Sequence, residues 1–254
     1  MGQIIVIANQ KGGVGKTTTA VNLSACIAAA GRRVLLVDLD PQGNATSGLG
    51  LDKSTLKHTL YDVLVNDLPV EDATIPTLIE ALKIVPANKN LVGAEIELVE
   101  ETNREFRLRR ALQNIRDDYE YIIIDCPPSL SLLTLNGLVA ADGVLITLQC
   151  EYYALEGLSE LLQTIVLVRD NLNRHMKLQG VLMTMFQNTN LSRQVVEDVR
   201  AHLGDKVFKT IIPRNVTLGE APSFGKPIIY YDLKCAGAEA YLALAREVIA
   251  RGER

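Results

Sequence analysis

Residues 10–19, Gln-Lys-Gly-Gly-Val-Gly-Lys-Thr-Thr-Thr, constrain this chain more than any other stretch. The apolar run before them, residues 4–8, has the length and content of a buried strand. The alanine-rich run after them, residues 20–30, stops at Gly31 as a helix with a glycine stop does. A strand, a glycine-rich turn and a helix start, in that order, make an anion site. Gly12, Gly13 and Gly15 let the backbone bend tightly and aim its N–H groups inward, with Val14 between them. The helix start at Thr17 and Thr18 adds a positive dipole end. Lys16 can reach the β- and γ-phosphates of a nucleotide such as ATP, and the Thr17 hydroxyl can ligate Mg²⁺.

The loop departs from the standard G-x-x-x-x-G-K-[ST] pattern, which opens on a glycine. Gln10 holds that place, and a second lysine, Lys11, follows it. Lys11 is either a solvated loop residue or a positive charge meant for a phosphate. A dinucleotide fingerprint is excluded, because Thr18 stands where that pattern needs its last glycine.

Two further strand ends carry acids. Residues 33–40, Arg-Val-Leu-Leu-Val-Asp-Leu-Asp, read as a buried parallel-type strand and run into Pro41-Gln42-Gly43-Asn44. Asp38 and Asp40 lie where open α/β sheets bind ligands, able to hold Mg²⁺ or orient water; a polar turn cap is the plainer alternative for Asp40. Residues 121–128, Tyr-Ile-Ile-Ile-Asp-Cys-Pro-Pro, give a central strand that the paired prolines must end. Asp125 then stands at the Walker B position, where a carboxylate holds Mg²⁺, usually through water.

Strands are further expected over 82–86, 143–149, 179–186 and 206–212. Helices are expected over 59–65, 91–99, 104–116, 154–172, 191–203 and 237–250. Arginines 104, 107, 109, 110 and 116 share the 104–116 segment with Glu100, Glu101 and Glu105 nearby, which favours a salt-bridged solvent face. Alternating strands and helices give the fold class: α/β, a single doubly wound, mainly parallel sheet with helices on both faces, of P-loop NTPase type. The 254 residues fit one domain spanning 1–254, with no repeat or linker. No apolar run reaches the ~18 residues of a membrane span, and no signal-peptide pattern opens the chain. The four cysteines show no C-x-x-C spacing and read as buried thiols.

The glycine-rich loop resembles the deviant Walker A motif of the ParA/MinD ATPase family, in which the first lysine is the signature residue. The resemblance extends to Asp-Leu-Asp-Pro-Gln-Gly-Asn at 38–44, to 94–98 and 150–157, which resemble Soj-type ParA proteins, to Pro213-Arg214-Asn215, and to 219–227. It implies that Lys11 crosses an ATP-sandwich homodimer to touch the partner's nucleotide. It implies that Asp40 positions the attacking water, and that Pro213 and Asn215 contact the adenine. The 150–157 segment, after a strand, suggests the subunit interface. The implied protein is a cytoplasmic, nucleoid-associated, Mg²⁺-dependent ATPase. It binds double-stranded DNA without sequence preference and segregates chromosomes or plasmids with a ParB-type centromere-binding partner that stimulates slow hydrolysis. The alternative is a MinD-like or polar-positioning ATPase that places a protein cargo without DNA. A MinD-like protein would end in a basic amphipathic membrane helix; residues 241–249 carry both charge signs, so no membrane partner is expected.

The chain's net charge is −4, so any nucleic-acid contact must come from a local patch. Residues 206–234 hold five basic residues, Lys206, Lys209, Arg214, Lys226 and Lys234, against Glu220 and Asp232. Arg193 and Arg200 come just before. Gln187, Asn188 and Thr217 stand where the family resemblance would favour basic residues. Arg193, Lys226 and Lys234 are the DNA-contact candidates.

Overall fold

The expected apolar runs become the strands of one sheet in the computed structural model, which describes residues 2–152 and 154–252. The strands are β1 (Gln3–Ala8), β2 (Val34–Asp38), β3 (Ile75–Pro76), β4 (Leu82–Val85), β5 (Tyr121–Asp125), β6 (Gly143–Gln149), β7 (Lys177–Phe186) and β8 (Val207–Pro213). Their order across the sheet is β3-β4-β2-β5-β1-β6-β7-β8. All pairings are parallel except that of the two-residue β3 with β4. The chain steps outward from β1 to β2 and β4, returns to β5, then continues on the other side through β6. That reversal beside β1 is where a doubly wound sheet opens a crevice for ligand.

Alternation along β1 builds two cores. Ile4, Val6 and Ala8 face one side of the sheet, and Ile5 and Ile7 face the other. Helices on both sides bury every one of these residues, so the strand reads as a continuous apolar run. The helix α1 (Lys16–Ala29) packs on the Ile5 side. Its alanines, Ser24 and Cys26 are small enough to let it approach the sheet and the C-terminal helix Ala236–Gly252 closely. The helix begins at Lys16, inside the loop motif, and stops before Gly31, whose φ is +81°.

Two expectations need correction. Residues 104–116 are not one helix: a short 3₁₀ turn Arg104–Phe106, the helix Arg107–Gln113 and a second 3₁₀ turn Arg116–Asp118 follow one another. Their arginines also reach further than the neighbouring glutamates. Arg107 pairs with Asp67 and Glu101, and Arg116 pairs with Asp142 beneath the sheet. Second, the strand expected over 33–40 is shorter: β2 ends at Asp38, which places Asp40 in the following turn, whereas β5 ends at Asp125 as the prolines after it require.

The outer strand β8 is sealed by side chains. Glu247 accepts the Lys209 and Thr210 amides at 2.9 and 3.1 Å. Arg251 donates to the Val207 carbonyl at 3.3 Å and lies over the Phe208 ring, 4.0 Å from its centroid. Arg200 donates to the Lys209 carbonyl at 3.3 Å. An exposed strand edge is a template for unwanted pairing, and these groups occupy it.

Candidate functional site

The site lies at the carboxyl ends of β1, β5 and β2. Parallel register sets Ile7 beside Asp125 and Asp125 beside Asp38, so the two strand-end carboxylates adjoin the mouth of the glycine-rich loop. Gly13 and Gly15 adopt φ of +74° and +87°, left-handed values that favour glycine. The Thr184 hydroxyl on β7 donates to the Val14 carbonyl at 2.9 Å and holds the loop from the other side.

Lys16 is buried, and its ammonium donates to the Lys11 carbonyl at 2.9 Å, so the side chain curls back along the loop that it closes. Burial lowers its pKa, while the carboxylates of Asp125 and Asp40 favour the protonated form. Thr17 and Thr18 follow, half-buried, on the first turn of α1. Lys11 points the other way. It is 55% exposed and pairs with Glu151.

Asp125 carries the strongest signal. It is fully buried, and neither carboxylate oxygen closes a hydrogen bond of good geometry. Burial, together with the charges of Asp38 and Asp40, pushes its pKa well above the usual carboxylate range. The Thr17 hydroxyl and Lys16 are placed to favour the ionised form. A bare carboxylate at the end of a central strand is costly unless a cation joins it. The residues therefore fit Mg²⁺ held by Thr17 and Asp125. Among the described residues no group of three or more His, Cys, Asp or Glu side chains forms a metal cage.

The neighbouring acids differ from Asp125 in their partners. Asp38 is buried, which raises its pKa, but its oxygens accept the Thr46 amide and hydroxyl at 2.8 and 2.7 Å and the Asp40 amide at 3.3 Å. Asp40, 6% exposed, accepts the Gln42 amide at 2.9 Å. That bond leaves carboxylate lone pairs free for a water.

On the opposite flank of the loop is a cavity of about 260 Å³ lined by Gly15, Thr18, Thr184, Pro213, Asn215 and Tyr241, among others. The Asn215 side-chain oxygen Oδ1 accepts the Leu218 amide at 3.1 Å and caps the short helix Val216–Glu220. The cap leaves its NH₂ group free to face a ligand. Met185, also on the wall, has φ +52°, a strained value for a non-glycine residue.

Residues 2–178 match the family model described as an AAA domain. The sporulation initiation inhibitor protein Soj of Bacillus subtilis is 60% identical over 99% of this chain and 100% of its own length. The chromosome partitioning protein ParA of Myxococcus xanthus is 59% identical over 99% of this chain and 89% of its own. The chain belongs to the ParA/Soj family of partitioning ATPases. Among solved structures, a Mycobacterium smegmatis protein described as cobyrinic acid a,c-diamide synthase with bound ADP and magnesium superposes with a TM-score of 0.87. It shares 40% identity, over 100% of this chain and 96% of its own.

Within this ParA/Soj chain, the loop residues, Asp40 and Asp125 converge, and Pro213 and Asn215 share one cavity with the loop. The DNA candidates do not converge. Arg193, exposed, rides on the helix Asn190–Leu203, whose valines pack on the Ile4 side of the sheet, and is held by Asn188 and Asn190 at 2.7 Å each. Lys226 and Lys234, also exposed, flank the short helix Ile228–Tyr231 on the Ile5 side. A surface holding all three must wrap round the β8 edge. In the 150–157 segment Tyr152 is 74% exposed, and Tyr153 lies outside the described residues. Sequence reasoning missed Glu151 as the partner of Lys11, Thr184 as the brace of the loop, and Tyr241 as a cavity wall. None has a local sequence signal, because each is brought in from a distant element.

Proposed function

We propose that this chain is an ATP-dependent, Mg²⁺-requiring ATPase that closes into a nucleotide-sandwich homodimer, binds double-stranded DNA without sequence preference, and partitions chromosomes or plasmids with a ParB-type partner. The observation that carries the catalytic part is the orphaned Asp125 carboxylate beside Lys16 and Thr17. Lys16 neutralises the terminal phosphates. Thr17 and Asp125 hold Mg²⁺, which, when bound, supplies charge stabilisation to the transferring phosphoryl group. Gly12 to Thr18 cradle the phosphate chain, and Pro213 and Asn215 face the base. Asp40 orients the water, because it stands in the turn with lone pairs to spare. Lys11, exposed and outside the cradle, is free to act on a second copy's nucleotide.

Exposed Glu151 and Tyr152 beside Lys11 support a self-association face there. The protein's place is the cytoplasm, on the nucleoid. Among the described residues no helix is long and apolar enough to cross a membrane. The deciding experiment measures light scattering and turnover together with ATP, ADP and no nucleotide. A dimer that forms only with ATP, and turnover that requires Mg²⁺, is the expected result. ATP-independent mass would overturn the sandwich reading.

A further inference from the structure

The turn that carries Asp40 is fastened to a neighbouring segment by one hydroxyl. Thr46, on α2 (Asn44–Gly48), is fully buried. Its hydroxyl donates to Asp38 Oδ2 at 2.7 Å and accepts the Ala87 amide at 2.9 Å. Its own amide donates to the same Asp38 oxygen at 2.8 Å, and the other Asp38 oxygen accepts the Asp40 amide at 3.3 Å. A continuous chain of hydrogen bonds thus runs from Ala87 through Thr46 and Asp38 to the backbone of Asp40.

A second contact seats the same turn on the same segment. Gly43 has φ +61°, and a Cβ there would lie 2.6 Å from the Ala87 carbonyl oxygen. The seat is itself fixed, because Pro86 accepts the Leu60 amide at 2.8 Å and Ala87 is buried. Lys53 adds an outer strap, donating to the Gln42 carbonyl at 2.7 Å.

We propose that the Thr46 hydroxyl is a positioning group for hydrolysis: it holds the Asp38–Thr46 turn on Ala87 and so aims Asp40 at the attacking water. The inference rests on the reading of Asp40 given above. A hydroxyl donates once and accepts twice, so it serves a carboxylate and an amide together; no aliphatic side chain does. Valine in its place keeps the shape but leaves the Ala87 N–H buried and unpaired and takes one donor from Asp38. The turn then relaxes, and a displacement of about 1 Å at a water-positioning group lowers turnover by roughly 10²-fold. Nucleotide binding draws on residues 12–18, Pro213 and Asn215, so it should hardly change.

The test compares Thr46→Val, Thr46→Ser, Gly43→Ala and Asp40→Ala with the parent chain. The readouts are thermal melting, binding of a fluorescent ATP analogue, KM and kcat. The expected pattern is a folded Thr46→Val with KM within about threefold of the parent and kcat down roughly 10²-fold. Thr46→Ser should recover most of kcat, because it restores the hydroxyl. Parent-like kcat in Thr46→Val overturns the proposal, as does equal loss in Thr46→Ser, which would make the methyl group the cause. Gly43→Ala lifts the same turn off Ala87 without touching Thr46, and decides the matter where Thr46→Val does not fold: kcat must fall with binding intact. Asp40→Ala separates the two readings. Its loss of turnover beside a fully active Thr46→Val refutes only the Thr46 role. Normal turnover in Asp40→Ala removes the water-positioning reading and this inference with it.

Discussion

The Lys11 ammonium lies 2.9 Å from Glu151 Oε2, with the two side chains 55% and 51% exposed. The pair ties the glycine-rich loop to the segment that follows β6. Exposed pairs of this kind contribute only ~0.2–1 kcal/mol, so the tie is weak enough for Lys11 to leave it. Lys11→Ala is expected to bind ATP as a monomer and to fail both dimerisation and hydrolysis. Glu151→Gln should still dimerise, with an ATP-dependent association constant changed by no more than about fivefold. Light scattering with ATP reads both. A normal ATP-dependent dimer in Lys11→Ala would reduce that lysine to an ordinary loop residue.

Lys16 and Asp125 should separate from Asp40 in their effects. Lys16 is buried in the loop, and Lys16→Ala should abolish nucleotide binding with the melting temperature little changed. Asp125→Ala should weaken Mg²⁺-dependent binding while relieving a buried, unpartnered carboxylate, so the nucleotide-free protein should melt no lower than the parent. Asp40→Ala should bind ATP, dimerise and stall, because a group that orients water acts on the chemical step. Calorimetric binding with and without Mg²⁺, set beside turnover, distinguishes the three. An Asp125→Ala variant whose binding still responds fully to Mg²⁺ would remove it from the metal site.

Glu247 offers a stability test away from the nucleotide. Burial alone would raise its pKa, but the Lys209 and Thr210 amides, the Thr210 hydroxyl and Arg251 outweigh burial and hold it below the usual value. A depressed carboxylate stabilises the fold above its unfolded pKa, about 4.3, and that contribution fades as pH falls through the folded value. Glu247→Ala should therefore cost roughly 1–3 kcal/mol at neutral pH and less in acid. It should also expose the β8 edge, so the variant should aggregate sooner on heating. Denaturant melts across pH check the first part. A variant as stable as the parent at neutral pH would show the edge needs no such seal.

The sequence exposed most of this site because its parts are local. A glycine-rich loop between strand and helix, and acids at the ends of apolar runs, are written in adjacent residues. Asp125 could be placed from its run of isoleucines and the prolines after it. The fold class followed from the alternation of strands and helices, but the short antiparallel β3 did not, since two residues carry no periodicity. The helix expected over 104–116 is shorter than its run of arginines suggests, since basic spacing alone marks no helix boundary, and the partners Asp67 and Asp142 lie in distant segments. Contacts between distant segments stayed hidden. Thr46 reads as an ordinary helix residue until Ala87 is brought beside it, and Glu151 reads as a loop acid until Lys11 is found against it.

The last prediction concerns DNA. The chain carries a net charge of −4, yet Lys206, Lys209, Arg214, Lys226 and Lys234 are all exposed along and beyond β8. One copy offers too few cations for tight binding. In the proposed ATP-closed pair two such sets would share one body, so the number of neutralised phosphates should rise with dimerisation and DNA binding should follow ATP without a separate switch. If about five phosphates are neutralised, affinity should fall roughly 10²–10³-fold between 50 and 200 mM salt. Sequence should matter little, because charge on the phosphate backbone carries no base readout. The candidates divide between the two faces of the sheet, which sharpens the test. Lys226→Ala with Lys234→Ala removes charge on the Ile5 side, and Arg193→Ala removes it on the Ile4 side. Fluorescence anisotropy on two unrelated duplexes, across salt and with and without ATP, should show a shallower salt slope for whichever side meets DNA. The held geometry of Arg193, engaged by Asn188 and Asn190, favours the lysine pair as the larger loss. Binding that is flat in salt, or equal without nucleotide, would sink the idea that pairing two copies creates the DNA surface.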